Sequence, residues 1–494
     1  MSLTESLAYF WPELVLSVAV VAVILVDLVA NRAGQKGSSR LPGLVALVAS
    51  GLALVCALRL PAGEYWLFIR MLVHDGFATF FKILLGLSLL AAVLMSRGSR
   101  EVAGQPNEGE YYTLLLSSGL GMFLMAGASS LLMAYLSLEF VSLTSYVLTG
   151  FQSHSRRSGE AALKYLIYGG VASGAMIYGM SWVFGLTGTM EYAGIATALA
   201  QAPAENHGAL FLGLMLVLAG FGYKIAAVPF HMWAPDVYTG APIPITAFLA
   251  IGSKAAGFAM LVRFFGFGVT SDGPSAVVQS IPLEWLLGGM CFASMTYGNL
   301  AALGQTNIKR MLAYSSISHA GYALLGLVVF RTDGVQAVCF YLAVYYLMNL
   351  GAFWIVMLIA NETGREDIEG YRGLAWRGGA FPAVALTVFL ASLAGLPPFA
   401  GFVGKLQVFA AGLQGGAYFL VLAGALNSVV SLYYYWRIVK TMFLDQPEGR
   451  DKPVALPVFG LGAVGALSVA TVGWGLQFGG LLDRATAARI AFPG

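Results

Sequence analysis

The sequence predicts an all-α protein that crosses a membrane many times. Of its 494 residues, 58% are hydrophobic and only 10% are charged, whereas a soluble domain carries about 25% charged residues. The mean hydropathy is +0.77. Apolar runs of about 20 residues, the length that a helix needs to cross a bilayer, recur along the chain. The net charge of +3 is small and spread through the loops, so it gives no support to nucleic-acid binding.

These runs predict about fourteen transmembrane helices. Only Gly127-Ala128-Ser129 separates the fourth run from the fifth, so this boundary is the least marked of all. The seventh and twelfth helices each contain an interruption and continue beyond it. The predicted spans are 12–30, 41–60, 77–96, 111–127, 130–150, 160–185, 208–228 (continuing at 230–240), 243–268, 283–303, 308–330, 335–360, 381–395 (continuing at 399–413), 417–443 and 454–478.

Lysine and arginine are divided unequally between alternate loops, and cytoplasmic loops are the ones enriched in them. We therefore expect the richer side to be cytoplasmic and both termini to lie outside. The first apolar run has no basic segment before it, so it is predicted to be a retained helix rather than a signal peptide. The richer side carries Arg32, Lys36, Arg40, Arg97, Arg100, Arg156, Arg157, Lys309, Arg310, Arg365, Arg372, Arg377, Arg437, Lys440, Arg450 and Lys452, and the poorer side carries Arg59, Arg70, Arg263, Arg331, Arg484 and Arg489.

Two helices are interrupted in a related way. In the seventh helix Lys224 is followed by Pro229, and a proline inside a helix removes a backbone donor. In the twelfth helix the interruption is Pro397-Pro398, and Lys405 follows it. Broken helices at corresponding positions of inverted repeats are typical of transporters. Because five helices separate the two interruptions, the pattern predicts two inverted five-helix repeats, helices 4–8 and helices 9–13.

The chain is therefore predicted to have four parts. Residues 1–110 form three N-terminal transmembrane helices with their loops, and residues 111–268 form the first repeat. Residues 283–443 form the second repeat, and residues 444–494 form helix 14 and a tail.

Glu139 is the candidate acidic group. It shares a helical face with Ser142, Tyr146 and Thr149, which follow it at steps of three and four residues. A polar stripe on a membrane helix faces other helices or water rather than lipid. The functional interpretation is a carboxylate whose protonation changes during transport, and the structural alternative is a buried glutamate that only pairs with a lysine.

Five lysines fall inside predicted spans. Lys224, Lys254 and Lys405 are deep in their helices or beside a break, and lysine is suited to changing its protonation when it is buried. We therefore interpret these three as a proton relay. Lys164 is a candidate fourth member or a modulating charge. Lys82 lies near the start of its helix, where a lysine is expected to extend to the membrane surface.

Histidine titrates near neutrality, so two histidines are supporting candidates for a proton path. His231 lies just after the seventh-helix break, and His319 shares a face with Ser315 and Tyr322. A hydrogen-bonded core histidine is the structural alternative. Haem ligation would need more intramembrane histidines than these two. The three cysteines form no CxxC pattern, and no phosphate-binding loop, HExxH or nucleophile elbow occurs. Covalent catalysis and a bound metal or cofactor are therefore not predicted.

Three segments carry a family resemblance: GYKIAAVPFHMWAPDVYTGAP, AYSSISHAGY and LAGLPPFAGFVGKLQVF. They resemble the antiporter-like membrane subunits of the proton-pumping NADH:quinone oxidoreductase, respiratory complex I, over about residues 110–440. The ending PDVYTGAP and the lysine after LPPFAGF are similar to the N (NuoN) type. The M type carries a glutamate where this chain has Lys405, and the L type has a long extra C-terminal arm.

The resemblance implies that Glu139 and Lys224 form a coupled acid–lysine pair and that Lys254 connects to Lys405 on the exit side. It also implies that NADH, flavin, iron–sulfur clusters and quinone belong to partner subunits. The expected partners are other complex I membrane subunits, sister antiporter-like subunits among them, and the lipid of a bacterial cytoplasmic membrane. The alternative is a subunit of a multisubunit cation/proton antiporter. An independent solute transporter would need a further polar pocket, which the sequence does not offer.

Overall fold

The computed structural model describes residues 2–32, 40–269, 274–275, 278, 281–447, 454 and 456–491. The described part is a helical bundle with one small β-hairpin, which the sequence analysis did not predict. Its strands, β1 (Tyr65–Leu67) and β2 (Leu72–His74), are antiparallel, and Trp66 is opposite Val73. The loops Arg32–Arg40 and Asp445–Val454, which carry several of the counted basic residues, lie largely outside the described residues.

The first half of the chain contributes twelve of the described α-helices. Three of them, α1, α8 and α10, belong to no membrane span, and α11 and α12 cross the membrane only as parts of the continuous segment Ile243–Gly268. The helices are α1 Leu3–Leu7, α2 Trp11–Arg32, α3 Leu41–Leu58, α4 Gly76–Gly98, α5 Glu108–Gly127, α6 Leu131–Thr149, α7 Arg156–Thr187, α8 Tyr192–Ala200, α9 His207–Ile225, α10 Ala234–Gly240, α11 Ile243–Phe248 and α12 Lys254–Phe264.

The second half contributes eight described helices, of which α16 and α17 are the two pieces of the broken twelfth helix. A short amphipathic helix, α20, follows the last long helix and was not predicted. The helices are α13 Leu283–Ala302, α14 Ile308–Val328, α15 Thr332–Thr363, α16 Ala380–Ala394, α17 Ala400–Gln414, α18 Tyr418–Phe443, α19 Val458–Leu476 and α20 Gly479–Ala487.

The predicted fourteen spans agree with these helices. Among the described residues, eleven helices are long and apolar enough to cross a membrane by themselves. The other three predicted spans correspond to α5, to α13 and to the pair α16 and α17, which are shorter or more polar. Side-chain caps fix several boundaries, because they satisfy backbone N–H groups at helix starts. Asp75 accepts from Ala78 at 2.6 Å, and Ser130 accepts from Met133 at 3.2 Å, which separates α5 from α6 as predicted.

Both predicted breaks are present, with one correction. Helix α9 ends at Ile225 and α10 begins only at Ala234, so the predicted continuation from residue 230 is shorter than expected. Ala226 ends α9 in the left-handed conformation (φ 56°), which turns the chain away from the helix axis. A second irregularity was not predicted: residues 249–253 form a π-helical segment between α11 and α12.

Corresponding helices of the two predicted repeats have corresponding neighbours. Helix α5 packs on α6 and α12, and α13 packs on α14 and α18. Likewise α7 packs on α9, and α15 packs on both pieces of the second broken helix. This order of packing is consistent with two repeats. The inverted relation and the residue limits of the four parts stay predictions.

The centre of the bundle is formed by the segment Ile243–Gly268 with α14 and α15. Every residue in the most apolar stretch of each of these is buried. Helices α2, α7, α18 and α19 form the outside, and they expose large apolar side chains such as Val21, Val171, Val429 and Val469. A polar group on α14 or α15 is therefore surrounded by protein and not by lipid.

Candidate functional site

Lys224 lies in the last turn of α9, beside the first break, and only 2% of its surface is exposed. Its ammonium donates to the Ser142 hydroxyl at 3.3 Å. Glu139 is one turn before Ser142 on α6. Its Oε1 is buried without a hydrogen-bond partner, and its charge acts on Lys224. The predicted acid and lysine are therefore near each other, because Lys224 bonds to the residue one turn after Glu139 and forms no direct ion pair with it.

The break beside Lys224 has its freed backbone groups satisfied. The Trp233 indole donates to the Tyr223 carbonyl at 3.0 Å, and the Val228 amide donates to the Ser294 hydroxyl at 2.9 Å. Unsatisfied backbone groups at membrane depth cost several kcal/mol each, so these bonds stabilise the interruption. His231 lies just after it and is buried; its ring packs on Tyr297, and its Nδ1 has no hydrogen-bond partner. No contact joins His231 to a lysine among the described residues.

Lys254 begins α12, directly after the π-helical segment, and is 3% exposed. Its ammonium donates to both the carbonyl and the hydroxyl oxygen of Ser316 at 2.5 Å. Gly257 follows one turn later on the same helix, and a Cβ there would be 3.0 Å from the Lys224 side chain. Residues three apart on a helix are neighbours, so Lys254 and Lys224 lie at the same contact between α9 and α12.

His319 lies on α14 one turn after Ser316 and is 3% exposed. Both ring nitrogens have tyrosine partners: Nδ1 is 2.6 Å from the Tyr341 hydroxyl, and Nε2 is 3.3 Å from the Tyr435 hydroxyl. Tyr435 also bonds to Ser315. On α14, His319 lies between Ser316, which contacts Lys254, and Tyr322, which contacts Lys405.

Lys405 lies on α17, just after the second break, and is 4% exposed. Its ammonium donates to the Ala394 carbonyl at 2.9 Å, a group that the break leaves free, and to the Ser428 hydroxyl at 3.1 Å. It also lies 4.6 Å from the centre of the Tyr322 ring. Tyr322 is one turn after His319, and their rings are 5.8 Å apart.

These polar residues follow one another along a path through the bundle, which we call the buried lysine line. It runs from Glu139 and Ser142 to Lys224, then to Lys254 and Ser316, and along one face of α14 to Lys405. Among the ion pairs of the described residues, none includes Lys224, Lys254 or Lys405. Each of these lysines is held by neutral hydroxyl, carbonyl or aromatic groups. In a low-dielectric interior, a charge that arrives near one of these lysines therefore strongly changes the energy of the protonated lysine.

Lys164 lies away from this line. Its side chain is 38% exposed and forms ion pairs of 2.7 Å with both Glu160 and Asp236. Asp236 in turn pairs with Arg310. Asp236 and Arg310 were not predicted as part of this cluster, because the pairs Lys164–Asp236 and Asp236–Arg310 join residues 72 and 74 positions apart, which gives no local signal.

The expectation that Lys82 extends to the membrane surface is wrong. Lys82 is 3% exposed and forms a 2.7 Å ion pair with Glu13 of α2, which is 1% exposed. Helix α2 covers this face of α4, so the lysine finds its counter-ion inside the protein. Sequence position alone could not show which helix packs there.

Two further basic residues were counted with loops and are buried instead. Arg263 lies in the last turn of α12 and forms a two-fold hydrogen-bonded pair with Asp75 at 2.8 and 2.9 Å. Lys309 is 2% exposed and contacts the Ala241 carbonyl at 3.1 Å and Glu366 at 2.8 Å. In the loop beside Glu366, the Arg365 guanidinium lowers the pKa of Asp367.

The sequence analysis also missed the tyrosines and amides that complete the line. Tyr345 donates to the Ser316 hydroxyl at 2.9 Å and accepts from Asn349 at 2.7 Å. Asn299 donates to Tyr322 at 3.3 Å. The spacing of Tyr341, Tyr345 and Asn349 at four-residue steps was the available signal, since it places three polar groups on one face of α15.

The comparisons with known proteins agree with this architecture. The family model described as "NADH:quinone oxidoreductase/Mrp antiporter, TM" matches residues 128–431. NADH-quinone oxidoreductase subunit N 2 of Sorangium cellulosum is 46% identical over 490 residues, 97% of this chain and 96% of that protein. Subunit N of Chlorobium chlorochromatii is 46% identical over 98% of this chain and 95% of its own length. The chain belongs to the NADH-quinone oxidoreductase subunit N family.

Solved structures give the same result for the fold. A chain of respiratory complex I from Thermus thermophilus with bound aureothin matches with a TM-score of 0.81 and 33% identity, over 96% of this chain and 99% of that one. A chain of the Mrp complex from Dietzia matches with a TM-score of 0.80 over 96% of each chain. Its identity is only 23%, so this second likeness shows the fold alone.

Proposed function

We propose that this chain is a proton-translocating membrane subunit of a bacterial NADH:quinone oxidoreductase and that the buried lysine line carries the protons. The observation that supports this most is that Lys224, Lys254 and Lys405 are all buried and lie on one path that runs from one helix break to the other. NADH, flavin, iron–sulfur clusters and quinone belong to partner subunits in this proposal. The chain lies in the cytoplasmic membrane, with its basic loops in the cytoplasm and both termini outside.

In this mechanism the chain's own groups hold and pass protons. Glu139 and Lys224 exchange a proton, and the Ser142 hydroxyl, whose oxygen is 3.3 Å from the lysine nitrogen, holds Lys224 beside the helix that carries Glu139. A proton on Lys224 changes the electrostatic energy of Lys254, because both lysines lie at the same contact between α9 and α12. Ser316, His319 and Tyr322 then connect Lys254 with Lys405, from which the proton leaves. Moving one charge against 100 mV costs about 2.3 kcal/mol, which is within the range of charge interactions in a protein interior.

The alternative is a subunit of a multisubunit cation/proton antiporter, which would use the same line without a redox partner. The full-length relatives favour the first function, since those at 46% identity are subunits N. Copurification with quinone-reducing subunits separates the two functions, because an antiporter subunit would not be isolated with them.

Lys224→Ala is expected to abolish proton pumping through this chain, because it removes the group between Glu139 and Lys254. The measurement is NADH-driven proton uptake into vesicles, with NADH oxidation measured in parallel. Lys440→Ala is the matched control, since Lys440 is an exposed lysine near the cytoplasmic end of α18. Unchanged pumping in assembled Lys224→Ala complex would contradict the proposed role.

Lys405 provides a second test of the same line. Lys405→Glu keeps an ionisable group at the second break and is expected to retain part of the pumping. Lys405→Ala leaves no such group and is expected to lose it. Full coupling in Lys405→Ala would exclude its role at the exit.

A further inference from the structure

A cavity of about 890 Å³ lies apart from the buried lysine line. It is bounded by α4, by the loop before β1 and by α19 and α20. Thr79, Phe80, Ile83 and Leu87 form one wall, because they follow one another along a single face of α4. Ala343 of α15 lies at the deep end, one turn from Tyr346, whose hydroxyl bonds to the Leu87 carbonyl at 3.1 Å.

The depth of the cavity matches one leaflet of a bilayer. From Gly76 at its mouth to Leu87 at its deep end, α4 rises by about 16 Å at 1.5 Å per residue. The hydrocarbon core of a bilayer is about 30 Å thick, so one leaflet has about half of that thickness, which is close to the rise of α4 along the cavity. The cavity runs along a transmembrane helix, so a chain of this length in it would lie parallel to the neighbouring lipid chains.

The lining changes from polar to apolar with depth. The mouth carries the exposed side chains of Arg484 and Arg489 together with Glu64. Asp75 also lies there, but its carboxylate already accepts from Arg263 and from the Ala491 amide at 2.9 Å. Two arginines against the single carboxylate of Glu64 therefore leave the mouth with a net positive charge. Farther along α4, the lining is apolar and includes Phe80, Ile83, Leu84 and Leu87.

We propose that this cavity binds one anionic phospholipid, with its phosphate at Arg484 and Arg489 and an acyl chain along α4. The polarity gradient, the depth and the charge of the mouth all fit such an amphiphile. A peptide fits less well, because the apolar wall gives few partners for backbone N–H and C=O groups. A neutral quinone fits less well, because it would not balance the net positive charge of the mouth. The site goes beyond proton transfer and does not depend on it.

The test uses membranes that contain the assembled complex and two photoreactive lipids. Phosphatidylglycerol and phosphatidylcholine carry the same diazirine near the end of one acyl chain, and labelled peptides are mapped by mass spectrometry. We expect phosphatidylglycerol to label residues 83–87 or Ala343, on the order of tenfold more than phosphatidylcholine does, since each arginine near an anionic headgroup adds to the attraction.

Two variants separate headgroup from chain. Arg484→Ala/Arg489→Ala is expected to reduce phosphatidylglycerol labelling to the phosphatidylcholine level. Ala343→Phe fills the deep end and is expected to remove labelling by both lipids; if this variant does not assemble, the arginine variant decides. Arg59→Ala is the control, since Arg59 is exposed at the end of α3 and does not line the cavity.

Two results would overturn the proposal. Equal labelling by both lipids in the unaltered chain would show that the arginines select no anionic headgroup. Absence of labelling at the cavity, while other lipid-facing helices are labelled, would show that protein or water fills it.

Discussion

His319 lies on α14 between Ser316, which contacts Lys254, and Tyr322, which contacts Lys405. Its ring nitrogens contact Tyr341 at 2.6 Å and Tyr435 at 3.3 Å, and in the proposed relay they accept and release the proton that moves between the two lysines. Tyrosine and serine hydroxyls both donate and accept, which is the property that a proton line requires. The two hydrogen bonds hold the ring in place, and the proposed proton transfer also requires ring nitrogens that can gain and lose a proton.

We therefore expect His319→Asn, which remains polar but does not titrate, to slow proton transfer through this chain by roughly 10²-fold, the loss typical of removing a positioned acid or base. The measurement is the ratio of protons pumped to NADH oxidised. His154→Asn, at an exposed loop position, is the control. A purely structural His319 would give an unchanged ratio in assembled His319→Asn complex.

Lys82 and Glu13 show a different use of buried charge. The pair is closed at 2.7 Å and nearly inaccessible, and it joins α2 to α4 outside the two predicted repeats. The Oε2 of Glu13 is buried without a hydrogen-bond partner, so the carboxylate depends on the lysine for its stabilisation. Removing one member of a buried ion pair leaves an uncompensated charge.

Lys82→Met alone is expected to destabilise the chain by about 3–5 kcal/mol, because it leaves the Glu13 carboxylate without its partner. Lys82→Met combined with Glu13→Gln removes both charges and is expected to recover most of that loss. Thermal unfolding of the solubilised complex measures both changes. A double variant as unstable as the single one would show that the pair does not act through charge balance.

At the scale of elements, each broken helix uses a lysine or an aromatic residue near its interruption. Lys405 caps the free Ala394 carbonyl, and Trp233 caps that of Tyr223. Gly395 ends α16 with φ +86°, and a Cβ there would lie 2.9 Å from the Lys405 side chain. The helix break and the position of the lysine are thus determined by the same few residues.

Gly395→Ala is expected to displace Lys405 and to reduce pumping, in addition to about 1–2 kcal/mol of backbone strain. Gly416→Ala is the matched control, because Gly416 has φ +77° and open space around its Cβ position. The strain is similar in the two variants, so a difference in pumping reports the lysine alone. Equal pumping in both variants would show that Gly395 at the break does not determine the position of Lys405.

At the scale of the whole molecule, Asp75 joins distant parts of the chain. Its carboxylate caps α4 through the Ala78 amide, pairs with Arg263 of α12, and accepts from the Ala491 amide at 2.9 Å. The Phe77 amide also donates to the Arg489 carbonyl at 3.2 Å. The segment after α20 is therefore attached to the start of α4, next to the first predicted repeat.

Asp75→Asn is expected to cost about 3–5 kcal/mol, because Arg263 remains charged and buried without its counter-ion. The C-terminal segment should also become more sensitive to protease. Thermal unfolding and limited proteolysis of the complex measure these effects. Asp483→Asn, on the exposed side of α20, should change neither, and an Asp75→Asn complex that matches it would show that this cluster adds no stability.

The sequence by itself determined the membrane class, the helix count and the two interruptions, because hydropathy over about 20 residues and proline within a helix are local properties. It also singled out Glu139, Lys224, Lys254 and Lys405, since a charge in an apolar run is visible without a fold. The family resemblance then supplied their expected roles.

Only the tertiary structure decided what these charges contact. Lys82 and Arg263 find acids 69 and 188 positions away in the chain, and Tyr341 and Tyr435 reach His319 from two other helices. The β-hairpin and the π-helical segment likewise depend on packing. Helix faces meet according to the packing of the whole bundle, and a local pattern does not specify which faces meet. The sequence therefore shows where ionisable side chains occur within apolar segments, and the fold shows how each of them is stabilised.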